Sequence, residues 1–137
     1  MTHTSVYITI DTECVEERLA RGILRPPLGY DVMVWGRFAN RRRTLGLELI
    51  LAALKDFDFQ ATFFVEALAA EVFGADGLAA VCTMLRDQRQ DIQLHLHPNL
   101  RRPEWRRAGL APLPDNIGKY TFADQVALLE AGLGHLT

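Results

Sequence analysis

Two pairs of side chains with metal-ligand chemistry stand at the ends of two apolar runs: Asp11-Thr12-Glu13 after SVYITI, and His95-Leu96-His97 after DIQL. Residues two apart on an extended chain project to the same face. Each pair therefore aims both side chains into one space. Carboxylate oxygens and imidazole nitrogens together suit a hard-to-borderline divalent ion. Three such ligands leave a coordination position for water, and a bound metal lowers the pKa of that water to roughly 7. A carboxylate beside the ion would accept the proton, and the metal would help hold the oxyanion that forms when hydroxide attacks a carbonyl. The chemistry in view is metal-assisted hydrolysis. Taken singly, each pair is explained as well by a capping Asp11 or by ordinary loop histidines; both pairs at equivalent strand ends favour a site.

The elements that must position these residues are legible in outline. Val6 to Ile10 alternate β-branched with hydroxyl-bearing or aromatic residues, a strand signal. Residues 14–44 form a long irregular stretch with Pro26, Pro27, Gly29, Gly36 and the run Arg41-Arg42-Arg43; such stretches are often functional. From Thr44 or Gly46, the spacing of Leu47, Ile50, Leu51 and Leu54 predicts an amphipathic helix. Gln60–Val65 reads as a short buried strand. A helix over Glu66–Val72 follows, broken by Gly74 and Gly77, and resumes over Leu78–Gln88 with Leu78, Val81, Cys82 and Leu85 at helical spacing. Asp91–Leu96 is a third strand. Residues 98–119 form a Pro-rich loop, and Thr121 caps a last helix that runs to about Leu133.

The order β-α-β-α(α)-β-loop-α predicts an α/β fold with a parallel sheet. Parity strengthens the site. Tyr7, Thr9, Asp11 and Glu13 share one face of the first strand, opposite Ile8 and Ile10; Asp91, Gln93, His95 and His97 share one face of the third, opposite Ile92, Leu94 and Leu96. The apolar faces would pack on helices. Both ligand pairs fall at the carboxyl ends of strands, where parallel α/β folds place their sites.

With 137 residues, 49% of them hydrophobic and 23% charged, the chain has the composition of one globular domain with a real core. A net charge of −2 makes no global electrostatic case for nucleic acid. No secretory h-region and no membrane-length apolar run is present, so the expected location is the cytoplasm. Cys14 and Cys82, far apart in such a chain, are expected to be reduced thiols.

Three segments, Ile8-Thr9-Ile10-Asp11-Thr12-Glu13, Ala61-Thr62-Phe63-Phe64-Val65-Glu66 and Gln93-Leu94-His95-Leu96-His97-Pro98, occur in this order and spacing. Together they resemble the polysaccharide deacetylase (NodB-homology) family, most closely its polysaccharide-biosynthesis branch with a His-x-His-Pro motif. The resemblance implies metal-dependent removal of an acetyl group from an N-acetylated sugar or polysaccharide. It implies Asp11 as the catalytic base and Glu13, His95 and His97 as metal ligands. Thr12 stands where the family more often has a second aspartate, and the commoner pattern puts three residues between the histidines. Zinc is the first choice of ion; a two-histidine, one-carboxylate set suits Fe(II) or Co(II) equally. The fold implied is a parallel (β/α) barrel of about seven strands, of which three are visible, so the chain reads as an N-terminal portion. The family's later arginine–proline motif and late general-acid histidine have no clear counterpart before Thr137; His135 sits at a helix end. A three-stranded sheet exposes an unpaired edge, which a second copy of the chain would cover if the chain is not a fragment.

Weaker signals are each weighed against a plainer role. Trp35 offers a platform for a sugar ring and equally an anchor for its loop. Glu66 either lines the pocket or binds a ligand histidine, and more simply favours a helix N-terminus. Arg101, Arg102, Arg106 and Arg107 around Trp105 would meet a phosphate on a nucleotide- or lipid-linked sugar, but a solvated loop explains them more simply. Two rivals remain open. One is an amidohydrolase-type barrel, which also uses His-x-His but on the first strand. The other is an inactive metal-binding or interaction module.

Overall fold

The computed structural model describes residues 4–16, 18–101 and 115–137. Its centre is a three-stranded parallel sheet. Strand β1 (Thr9–Thr12) and a later strand, Asp91–His95, flank a central strand, Thr62–Glu66. Between the first two lie a hairpin of β2 (Arg18–Ala20) with β3 (Ile23–Arg25), a single helical turn α1 (Tyr30–Met33) and helix α2 (Leu47–Asp56). The central strand is therefore β4. Helices α3 (Ala69–Phe73) and α4 (Ala75–Asp87) lead to β5 (Asp91–His95), and helix α5 (Phe122–Leu136) closes the described chain.

The expected barrel is not formed. Among the described residues β1 pairs only with β4, and β5 only with β4, so the sheet is open on both sides. Closing a barrel requires the last strand to bond back to the first, and three strands cannot span that circumference. The stretch 14–44 is also more ordered than its lack of periodicity suggests. Arg21 and Gly22 both take positive φ, 52° and 74°, making the two-residue turn that joins β2 to β3. The helix break expected at Gly77 does not occur; Gly77 lies inside α4, where a Cβ would come within 2.2 Å of the Tyr30 ring.

Alternation sorts the sheet into two unlike faces. One carries Ile8, Ile10, Phe63, Val65 and Ile92, which join Leu47, Leu51 and Leu54 of α2, Leu78, Val81 and Leu85 of α4, and Leu128 of α5 in one core. The buried residues of α2 (Leu47, Leu51, Leu54) and α4 (Leu78, Val81, Leu85) recur every three or four residues, so each helix turns one stripe to the sheet. Gly132 lets α5 approach closely, for a Cβ there would meet Leu96 at 2.5 Å and Leu94 at 3.0 Å. The opposite face is mostly polar around a half-buried Phe64: Thr9, Asp11, Asp91 and Gln93 are exposed, with Asp91 accepting from Thr62 and Gln93 at 2.9 Å each. No helix among the described residues is long and apolar enough to cross a membrane.

Candidate metal centre

The register decides what meets at the carboxyl rim. Thr12 pairs with Val65 and Glu66 pairs with His95, so Glu13, one residue past the end of β1, falls level with both. Two strand spacings of roughly 4.8 Å each separate β1 from β5, a gap that a glutamate and a histidine can bridge. Glu13 Oε1 lies 2.8 Å from His95 Nε2 and 3.1 Å from His97 Nε2, and the two Nε2 atoms are 3.0 Å apart. All three side chains are partly buried, and their ligand atoms lie within 4.8 Å of one another. Three lone-pair donors converging at this separation fit around one ion at roughly 2 Å from each. Glu13, His95 and His97 are thus a group able to hold a metal ion.

His97 lies beyond β5 and needs its own supports. The residue before a proline is confined to extended conformations, and His97, before Pro98, has φ −106° and ψ 101°. Pro98 and Leu100 are buried in the single 3-10 turn that follows, anchoring that end. Glu66 holds the other side. It is 1% exposed, and its two oxygens accept from the backbone N–H groups of Leu68, at 2.8 Å, and of His97. Burial raises the Glu66 carboxyl to about 7, against the lowering effect of His97 and the two backbone donors. On the ring of His97, Nδ1 lies 2.8 Å from Asp115 Oδ1.

The charges of the cluster are mutually adjusted. Burial opposes ionisation of Glu13, but hydrogen bonds and charge from His97 and His95 outweigh it, and its carboxyl sits below the ordinary value. Burial likewise opposes protonation of His97, yet hydrogen bonds to Glu13 and Asp115 carry its value upward. Cys14, though next to Glu13, is buried, and burial pushes its thiol up to about 12. It is a poor thiolate, and both cysteines are free.

Two clefts border Glu13. One, of about 320 Å3, is lined by Asp11 and Glu13 together with apolar walls from Ile10, Met33, Leu45 and Ile50. The other, of about 300 Å3, is lined by Glu13, Glu16, His97, Asn99 and Asp115 among others. Asp11 is exposed on the polar face of β1, in the same cleft wall as Glu13.

The remaining sequence candidates are placed as follows. Trp35 is 7% exposed, belongs to the core, and has the Arg37 guanidinium 5.4 Å above its ring. Glu66 is enclosed beneath the rim as described. Arg101 donates to the Ala127 carbonyl at 3.1 Å, tying the segment after the histidines to α5. His135 Nε2 lies 3.5 Å from Glu71 Oε1. His3, Arg102, Trp105, Arg106 and Arg107 lie outside the described residues. Sequence reasoning missed Asp115, an exposed loop residue 18 positions from its partner with no motif to mark it.

Fold and site together define a parallel α/β sheet with a Glu/His/His group at its carboxyl rim. No family model, curated protein or solved structure matches the chain.

Proposed function

We propose that the protein is a metal-dependent hydrolase of carbon–nitrogen amide bonds that removes an acetyl group from an N-acetylated sugar or polysaccharide. The observation that carries this reading is the convergence of Glu13, His95 and His97 at the strand ends, with the exposed carboxylate of Asp11 in the adjoining cleft. The choice of substrate rests on the resemblance of the three motifs to the polysaccharide deacetylases. Zinc is the preferred ion on its ligand set, with Fe(II) or Co(II) accommodated by the same residues.

A divalent ion at this position supplies Lewis-acid polarisation and a more acidic water. Glu13, His95 and His97 would hold it, next to the cleft that Asp11 and Glu13 line. Asp11 takes a proton from the attacking water as its oxygen bonds to the acetamide carbon. As the C–N bond breaks, the nitrogen takes up the proton held on Asp11 and leaves as an amine, and the acetyl group departs as acetic acid, which ionises to acetate. Asp11 is suited to that first step because it is exposed to the cleft and shares its wall with a ligand.

Metal content and acetate release, measured side by side, test the assignment. Glu13→Ala and His95→Ala are expected to lose bound zinc. Asp11→Asn is expected to keep it while acetate release from N-acetylated sugars falls about 100- to 10,000-fold. Equal zinc in all four proteins would defeat the ligand set; normal zinc in the wild type with no acetate release would leave a binding module.

A further inference from the structure

We infer that Asp115 is a positioning residue of the metal centre, holding His97 as its Nδ1–H tautomer and turning the Nε2 lone pair toward the ion. This rests on the metal-binding reading above and extends it to a residue on a separate segment. An ionised carboxylate can only accept a hydrogen bond, so at 2.8 Å from Asp115 Oδ1 the Nδ1 of His97 must donate. A neutral imidazole protonated there has its lone pair on Nε2, the atom 3.1 Å from Glu13 and 3.0 Å from His95. The arrangement is the carboxylate–histidine–metal relay by which outer groups orient ligands.

The two histidines differ in their need for such help. His95 belongs to β5, paired with Glu66, and its carbonyl accepts from Ala67 N at 3.2 Å. Its ring meets Glu13 and His97 through Nε2 and lies edge-on to the His97 ring, with centroids 4.8 Å apart. His97 lies past the strand; Glu66 and Pro98 restrain its backbone, but neither restrains rotation of its ring. Asp115 supplies that restraint from a locally ordered base. Asn116 accepts from Gly118 N at 2.9 Å with its side chain and from Lys119 N at 2.9 Å with its carbonyl, which fixes the turn next to Asp115. The Asp115 side chain is 56% exposed, so packing gives no reason for its placement.

Zinc affinity by chelator competition and the visible spectrum of the Co(II)-loaded protein decide the matter, with thermal melting of the metal-free protein alongside. Asp115→Ala is expected to weaken zinc about 10- to 100-fold and to shift the Co(II) bands, with metal-free melting unchanged. Asp115→Asn, which keeps an oxygen to accept from Nδ1, is expected to recover part of the affinity. If the alanine variant does not fold, Asp115→Leu, which also lacks an acceptor, takes its place. Wild-type affinity and spectrum in the alanine or leucine variant would overturn the role of Asp115 and leave the ligands standing. Failure of the wild type itself to bind zinc would overturn both.

Discussion

On the helix-covered side of the sheet, Phe63, Val65, Val81, Leu85 and Leu128 are at most 1% exposed. At the carboxyl rim, Glu13, Glu66, His95 and His97 meet through hydrogen bonds across three strands. The first region holds by area: each fully buried side chain contributes about 1.5–3 kcal/mol, with little demand on direction. The second holds by direction, since its buried polar groups cost free energy unless each finds its partner. The apolar packing and the group able to hold a metal ion therefore occupy neighbouring but separable parts of the chain, and substitutions should divide accordingly.

The largest effect is expected from the apolar side. Leu85→Ala, in the middle of the core and on the far end of α4 from the rim, should lower stability by about 2–5 kcal/mol in urea titrations. Zinc affinity of the folded fraction should stay at the wild-type level; a parallel loss of zinc would collapse the distinction.

Glu66 tests the polar side. Its folded value of about 7 lies above the ordinary 4.5, so between those pH values the folded chain holds a proton that the unfolded chain has released. More protons on the folded state mean that stability falls as pH rises through that window and levels off above it. In metal-free protein, Glu66→Gln should cost about 1–3 kcal/mol by setting an amide donor against one backbone N–H. It should also flatten the decline between pH 4.5 and 7 relative to wild type. An unchanged slope in the glutamine variant would assign the pH response to another group.

The smallest effect is at the cap of α5. Thr121 accepts from Asp124 N at 3.3 Å, and Thr121→Ala should cost about 1 kcal/mol without touching zinc affinity. A loss of zinc there would mean that α5, through Arg101 and its contact with Leu96, communicates with the rim.

How much of this was legible beforehand depended on the range of the interaction. Helix α2 and strands β4 and β5 follow from local periodicity, and their bounds fall within a few residues of those expected. β1 starts three residues later and ends two residues later than the alternation of Val6–Ile10 suggests, at Thr9–Thr12, the residues in register with Thr62–Val65 of β4. The hairpin of β2 and β3 carries no Asn-Gly or Asp-Gly turn signal in the sequence, since its turn uses Arg21 in a conformation that favours glycine. Glu66 reads from sequence as lining the pocket or binding a histidine, and more simply as favouring a helix N-terminus. In the structure it ends β4, and its two oxygens accept from the backbone N–H groups of Leu68 and His97.

Residue type and two-residue spacing alone determined that Asp11 with Glu13, and His95 with His97, each point as a pair, because side-chain direction along a strand is a local property of the backbone. That Glu13 comes level with His95 across an intervening strand was decided by the β1–β4–β5 register, set by pairing between segments some 50 and 30 residues apart. The open sheet in place of a barrel, and the reach of Asp115 to His97, belong to the same class of fact. They depend on which distant groups find one another on folding, and no short stretch of chain encodes that choice.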